Sequence, residues 1–415
     1  MIAEIIATGD EIRTGALVDS NSAYIADKME ELGVTVSRHI CVGDNLAQLQ
    51  AVLRETAARA DIAVVTGGLG PTVDDLTSQA AAQAKGVALK LDQAALETVT
   101  AFFERRNFPM SPQNRKQAFF PETAAWIPNP VGTAPGFELQ IEKCRFFFMP
   151  GVPHEMKRMF KDSVLPALIK LRGEKRLFAK VRTICTFGLG ESVVDDKLSE
   201  ITSEFPDIQL GLRAKFPVIQ VKLYGRDESR AKLDACIAAG EKRVCELLGD
   251  TVFSNAGHSM ARVLGQLLTE RRATVAVAES CTGGLIASQL TDVAGSSDYF
   301  LFSGVTYANR AKEEILGVPR DILIQHGAVH PETARHMALG ARHVSGADYA
   351  IATTGIAGPG GGTDDKPVGT LCVGLATPQR SEGFRYDFPF RERWQNKILF
   401  ATVAMNKLRK ELLKT

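Results

Sequence analysis

The chain has 415 residues, enough for two or three domains with ample core. Its 49 Lys and Arg nearly balance its 48 Asp and Glu, leaving a net charge of +1 and no overall electrostatic case for nucleic acid or a membrane surface. The start carries no basic region, no apolar run approaches the roughly 18 residues of a membrane helix, and the seven cysteines lack any Cys-x-x-Cys pair. A signal peptide, a membrane span, a disulfide framework and a thiolate zinc site are therefore not expected. A reducing cytoplasm is.

Short Val/Ile strands alternate with helical segments over residues 1–170, which predicts a parallel α/β sheet. Strands are expected at Ile2–Ala7, Val34–Cys41 and Asp61–Val65, with helices at Asn21–Leu32 and Leu46–Ala58. Phe146–His154 reads as a buried strand running into a Pro/Gly loop. Loops at the carboxyl ends of such strands are where open α/β sheets bind ligands. Residues 173–250 read β-α-β-β-α, a small KH-like α+β unit. It lacks a Gly-x-x-Gly loop and a basic face, so a spacer or dimer-building role is expected rather than RNA binding. Residues 257–415 form a third α/β unit, with strands at Thr274–Ala278, Leu301–Thr306, Tyr349–Thr354, Gly369–Ala376 and Gly383–Phe388.

Two strand-to-helix turns carry unusual chemistry. In the first, Thr66-Gly-Gly-Leu-Gly-Pro-Thr-Val-Asp-Asp75, the glycines Gly67, Gly68 and Gly70 let backbone approach a phosphate, and Thr72 adds a hydroxyl. Asp74 and Asp75 repel a phosphate unless a divalent cation sits between. Asp10, Glu11 and Asp19 offer further hard oxygen ligands. An acidic helix start in a tight turn is the structural alternative. Asn114 and Arg115, with the loop Asn129–Gly136, are expected to close that pocket.

The second turn is Glu279-Ser-Cys-Thr-Gly-Gly284. No histidine stands near it in sequence, so a Ser-His-Asp triad is not expected, and a serine paired with a lysine of lowered pKa is the serviceable nucleophile. Lys312 is the base. Ser280 and Thr282, beside Gly283 and Gly284, suit an anion, which leaves Ser297 as the favoured nucleophile with Ser280 as the alternative. Cys281 is intrinsically more reactive but lacks an activating partner in sequence. Tyr307 either relays a proton or packs on the core. Thr354 and Gly355 either donate to an oxyanion or form a plain turn. Arg391 and Arg393 either reach a phosphate or form a solvated helix start. His326 and His330 are not expected to bind metal, because Gly327 and Pro331 interrupt any helix that would align them.

These runs resemble the CinA family over essentially the whole chain. The opening Thr8-Gly-Asp-Glu-Ile-Arg-Thr-Gly-Ala-Leu-Val-Asp-Ser-Asn21 and the turn Thr66–Asp75 are similar to its molybdopterin-binding-like N-terminal domain. Ala278–Gly284, Gly295-Ser-Ser297, Val305-Thr-Tyr-Ala-Asn309, His326-Gly-Ala-Val329 and Thr354-Gly-Ile-Ala-Gly-Pro359 resemble its nicotinamide mononucleotide deamidase domain. The resemblance implies hydrolysis of nicotinamide mononucleotide to nicotinic acid mononucleotide and ammonia by a Ser–Lys mechanism. Ser297, Lys312 and Tyr307 match it, with Ser280, Thr354 and Asn309 in the pocket and no cofactor. It further implies a divalent-metal (Mg or Co-like) ADP-ribose pyrophosphatase in the N-terminal domain, and a homodimer. Where relatives carry Gly-Asp-Arg before the last helix, this chain reads Phe388-Pro-Phe-Arg-Glu-Arg393. A non-catalytic pterin- or nucleotide-binding scaffold is the competing expectation.

Overall fold

The computed structural model describes residues 1–172 and 178–414. Internal packing divides the chain into two compact units. One is Met1–Val181 with Gly225–Ala235, and the other is Arg182–Tyr224 with Cys236–Thr415.

The first unit holds a six-stranded sheet in the order Thr35–Val42, Ile2–Thr8, Ile62–Thr66, Cys144–Met149, Gly136–Ile141, Ala125–Ile127. The first four strands run parallel, and the last two turn antiparallel. The expected parallel sheet is thus mixed at one edge. Ile62-Ala-Val-Val65 and Phe146-Phe-Phe-Met149 are continuous apolar runs because helices cover both faces of a central parallel strand. The Phe137 and Phe148 rings stack at 4.3 Å on one of those faces. Helix Ser20–Glu31 starts where the Asp19 carboxylate accepts the Ser22 amide at 2.9 Å, and Asn45 caps helix Leu46–Arg59 in the same way. The parallel strands therefore deliver Thr8, Val42, Thr66 and Met149 to one end of the sheet, where the polar loops gather.

The middle segment builds a four-stranded sheet in the order Ile208–Lys215, Val218–Asp227, Phe178–Phe187, Val252–Ser254. Helices Glu191–Lys197 and Arg230–Leu248 complete the expected β-α-β-β-α order. The short closing strand Val252–Ser254, antiparallel to Phe178–Phe187, is too brief to have shown in the sequence.

The C-terminal sheet has the order Phe300–Val305, Val275–Glu279, Tyr349–Gly355, Thr370–Ala376, Ser381–Asp387. The first three strands are parallel and the rest antiparallel. Helices Met260–Arg271 and Arg393–Leu412 bury large aliphatic side chains with one face of this sheet. Helix Pro331–Ser345 covers the other face, where Ala276, Ala278, Ala350, Ala352 and Ala376 leave it little room. The approach is so close that a Cβ on Gly374 would lie 1.9 Å from the Ala334 carbonyl oxygen. A Cβ on Gly340 would lie 1.9 Å from the Leu316 carbonyl oxygen, so Gly340 seats the neighbouring helix Asn309–Leu316. Among the described residues, no helix is long and apolar enough to cross a membrane.

Overpacking at a helix–sheet contact made by backbone has no side chain to yield. Gly374→Ala is expected to cost about 3 kcal/mol, read as a fall in the urea midpoint. An unchanged midpoint would show that the helix floats on the sheet.

Candidate active site

Strand Val275–Glu279 ends inside the protein. Ser280 follows it, and its amide donates to the Thr353 carbonyl at 2.9 Å, extending the pairing with the next parallel strand by one residue. The chain then turns through Gly283 and Gly284, whose φ angles of 60° and 88° lie in the left-handed region that favours glycine. Glu279 is fully buried. Its carboxylate accepts the Ile286 amide at 3.2 Å and the Ala287 amide at 2.9 Å, at the start of helix Leu285–Thr291. The N–H groups expected to greet a substrate anion are therefore taken by an internal carboxylate. The turn positions Ser280 rather than offering an open anion cradle at the helix end.

Lys312 reaches the same point from helix Asn309–Leu316. It has no exposed surface, and its Nζ donates to Ser280 Oγ at 3.3 Å, to the Thr306 carbonyl at 2.9 Å and to the Tyr307 carbonyl at 3.0 Å. Burial pulls its pKa below the usual lysine value, opposed by the Cys281 thiol. A buried amine beside a hydroxyl is the arrangement in which a neutral lysine takes the serine proton.

A cavity of about 140 Å³ opens onto this pair, lined by Ser280, Lys312, Tyr307, Thr354, Val329 and Arg393 among others. That volume suits the reacting end of a ligand, since whole-ligand pockets run to roughly 300 Å³ or more. Thr354 Oγ1 donates to the Ala328 carbonyl at 2.8 Å and so fixes one wall. Arg393 closes the mouth, donating to the Gly358 carbonyl at 2.9 Å and to the Tyr307 hydroxyl at 3.0 Å. Gly355 is held to a glycine by contact, because its Cβ would lie 2.5 Å from the Thr370 carbonyl oxygen and 3.3 Å from Cys281 Sγ.

Of the remaining expected residues, Ser297, Thr282, Asn309 and Arg391 fall outside the cavity lining, whereas Cys281 is part of it. Ser297 is exposed on the turn Ser296–Asp298 and is absent from the cavity around Lys312, so the lysine is paired with Ser280. Thr282 faces inward and shares a 2.7 Å hydrogen bond with Thr353. Asn309 is exposed at the first turn of the Lys312 helix, and Arg391 is exposed ahead of the last helix; neither lines the cavity. Cys281 is buried, and burial pushes its thiol up to about 12, which removes it as a nucleophile at neutral pH. A larger cavity of about 1160 Å³ in the same unit, walled by Lys215–Val218 and helix Met260–Arg271, contains neither Ser280 nor Lys312. Chemistry rather than size selects the smaller one.

The N-terminal cavity, about 520 Å³, lies at the carboxyl ends of the parallel strands and is lined by Glu11, Asp19, Gly67, Gly68, Gly70, Asp74 and Asp75. Asp44 and Glu155, which sequence reasoning missed, join them. Asp10 stays outside, paired with Arg13 at 2.9 Å, and its amide donates to Asp44. Asp44's carboxyl is held above the usual range by burial, against the Asp10 amide and with added repulsion from Asp10, Glu11 and Asp74. Asp75 accepts from the Thr72 amide and hydroxyl, closing its own turn. Asn114 and Arg115 sit on the 3-10 helix Pro112–Ala118 outside the cavity, and Gln117 reaches it in their place. Asn129 accepts from the Val131 and Gly132 amides and donates to Glu155 at 2.7 Å, so its loop orients a lining carboxylate.

The glycines of that turn have a packing reason as well. A Cβ on Gly67 would lie 2.4 Å from the Thr8 carbonyl oxygen, and one on Gly68 would lie 2.1 Å from Thr77 Oγ1. The donor set is all hard oxygen, the kind that holds Mg²⁺-like ions. Even so, no three such side chains converge as a metal shell among the described residues. The acids crowd one wall of the cavity.

Three profiles cover the chain in order. They are the probable molybdopterin binding domain at residues 4–170, the damage-inducible protein CinA KH domain at 181–254 and the CinA C-terminal domain at 257–412. A CinA-like protein of Desulfosudis oleivorans is 49% identical over 414 residues, all of both chains. One from Geobacter sulfurreducens is 43% identical over 408 residues, 98% of each. The crystal structure of the protein CinA with unknown function from Thermoplasma acidophilum is 34% identical, covering 41% of this chain and 96% of that one, with a TM-score of 0.37. With full-length relatives at this identity and three domains in one order, the chain belongs to the CinA family.

Proposed function

We propose that the C-terminal site is a nicotinamide mononucleotide deamidase. The observation that carries this reading is a buried Lys312 amine 3.3 Å from Ser280 Oγ at the edge of a small cavity. In this reading Ser280, not Ser297, is the nucleophile. Lys312 takes the hydroxyl proton as Oγ bonds to the carboxamide carbon, and the proton passes to the leaving nitrogen as the C–N bond breaks and ammonia departs. Water, deprotonated by the same amine, then attacks the nicotinoyl ester and restores Ser280. Oxyanion donors come from backbone amides in the turn after Ser280. Arg393 reads the 5′-phosphate with guanidinium N–H groups not engaged by Gly358 and Tyr307.

For the N-terminal cavity we propose ADP-ribose pyrophosphatase activity with a divalent cation, which would shield the diphosphate from the acidic wall. Glu11, Asp19, Asp44, Asp74 and Asp75 are the oxygens on offer. The support is the concentration of carboxylates at the strand ends and their mutual repulsion at Asp44. Both substrates would arise from NAD breakdown, and the setting proposed is a cytoplasmic homodimer.

Ammonia release from nicotinamide mononucleotide tests the first reading. Ser280→Ala and Lys312→Ala are expected to lose about 10³-fold or more in kcat, and Ser297→Ala to stay within about twofold. The opposite pattern would move the nucleophile to Ser297. No activity in the native protein would remove the deamidase reading altogether. Adding EDTA should abolish ADP-ribose cleavage while sparing ammonia release; cleavage that survives chelation would remove the metal from the second.

Lys312 also sets a pH signature. Its folded pKa lies below its unfolded value near 10.5, so between the two the unfolded chain binds the extra proton, and folding gains stability as pH rises. Below the folded pKa both states are protonated and this contribution is gone. The stability of native protein relative to Lys312→Met should accordingly shift in favour of native as pH climbs toward that unfolded value. kcat should rise along the acidic limb of the same titration. A flat stability difference would mean the amine is not perturbed.

A further inference from the structure

Arg393 depends on a segment with little regular structure of its own. Residues 388–392 link the last strand, Ser381–Asp387, to the helix that starts at Arg393. The Phe388 amide donates to the Gly369 carbonyl at 3.1 Å and its ring lies against Tyr386 and Phe400, which fixes the start of the link. Two further contacts bear on the residues that flank Arg393. From within, fully buried Asn396 donates from Nδ2 to the Phe390 carbonyl at 2.9 Å and to the Ala357 carbonyl at 3.1 Å, tying the link to a cavity wall. From the other side comes Phe216, at the hairpin tip between strands Ile208–Lys215 and Val218–Asp227 of the KH-like sheet. Its ring meets Phe390 edge-on at 5.1 Å and 78°, and Trp394 at 6.2 Å and 68°. Phe390 and Trp394 bracket Arg393 in sequence, and Trp394 keeps over half its surface exposed, so the hairpin ring is a principal apolar support for it.

We propose that Phe216, carried by the middle domain, is a positioning residue for Arg393 and hence for recognition of the substrate's phosphate. It touches no substrate. It restricts the link so that the guanidinium stands at the cavity mouth beside Tyr307 before ligand arrives, and preorganisation of this kind appears in affinity rather than turnover. The inference rests on the deamidase reading for its kinetic test, and on the fold alone for its second.

The kinetic test compares native protein, Phe216→Ala, Phe216→Leu, Arg393→Ala and the Phe216→Ala/Arg393→Ala double variant. Each is assayed with nicotinamide mononucleotide, and with nicotinamide riboside as substrate or competing ligand. Phe216→Ala is expected to raise KM for the mononucleotide about tenfold, the scale of one charge-assisted contact, with kcat within about twofold. It should leave the riboside unaffected and add nothing to Arg393→Ala, while Phe216→Leu recovers most of the loss. Equal losses for riboside and mononucleotide, or additive losses in the double variant, would overturn the proposal. Amide hydrogen exchange over residues 388–394 gives the independent readout. Faster exchange there in Phe216→Ala, with Val275–Glu279 unchanged, supports the strut even if the native protein releases no ammonia, an outcome that would sink only the deamidase reading. Unchanged exchange over 388–394 overturns the strut.

Discussion

The burial of the Lys312 amine is the constraint on which the C-terminal half of the molecule depends. An ammonium removed from water is costly, and the cost falls if the group sheds its proton or finds acceptors. Here three oxygens meet it, two of them carbonyls at the end of strand Phe300–Val305 and one the hydroxyl of Ser280. Those acceptors stay in place only if the strand end and the helix carrying the lysine keep a fixed separation. Gly340 lets helix Pro331–Ser345 close on the Leu316 carbonyl of the helix carrying Lys312, and the Thr306 amide donates to the Glu279 carbonyl at 2.9 Å. Tight helix–sheet packing here serves chemistry as well as stability.

Glu279 complements that arrangement. Its carboxylate occupies the Ile286 and Ala287 amides at a helix start that sequence logic assigns to a ligand, so the start of that helix is neutralised from inside. Positive charge for a distant anionic group then has to come from a side chain at the mouth, and Arg393 is the cation that lines the cavity there. In the proposed function the buried end would make and break bonds and the exposed end would recognise the ligand.

Much of this was legible in the residues. Val275–Glu279, Tyr349–Gly355 and Thr370–Ala376 were readable because burial on both faces leaves an apolar signature, whereas the edge strands Phe300–Val305 and Ser381–Asp387 are only partly buried. The helix Arg320–His326 was missed because it is short and mostly polar. Lys312 was readable as a base from its place after a strand end, but its partner was not. Parallel register pairs Glu279 with Val305, so Ser280 and Thr306 leave adjacent strands side by side, and residues 32 apart in sequence meet. Assigning Ser280 to an anion because of the glycines beside it leaves Ser297 as the favoured partner; the register of the strands brings Ser280 to the lysine instead. Asp44 escaped notice in the same way. It follows the strand Thr35–Val42, and its kinship with Glu11 and Asp74 exists only once the strands lie side by side.

The thiol beside Ser280 has a consequence of a different kind. Cys281 is next to Ser280 in the chain, yet it is buried and its pKa is driven up to about 12. Thiolate is the species that peroxide, nitrosating agents and alkylators attack, and at neutral pH this one is almost wholly protonated. The proposed reaction uses an alcohol and an amine, and the thiol that lines the same cavity is held protonated. A Ser280–Lys312 chemistry, as proposed, would keep its nucleophile under oxidants that disarm enzymes dependent on a reactive cysteine.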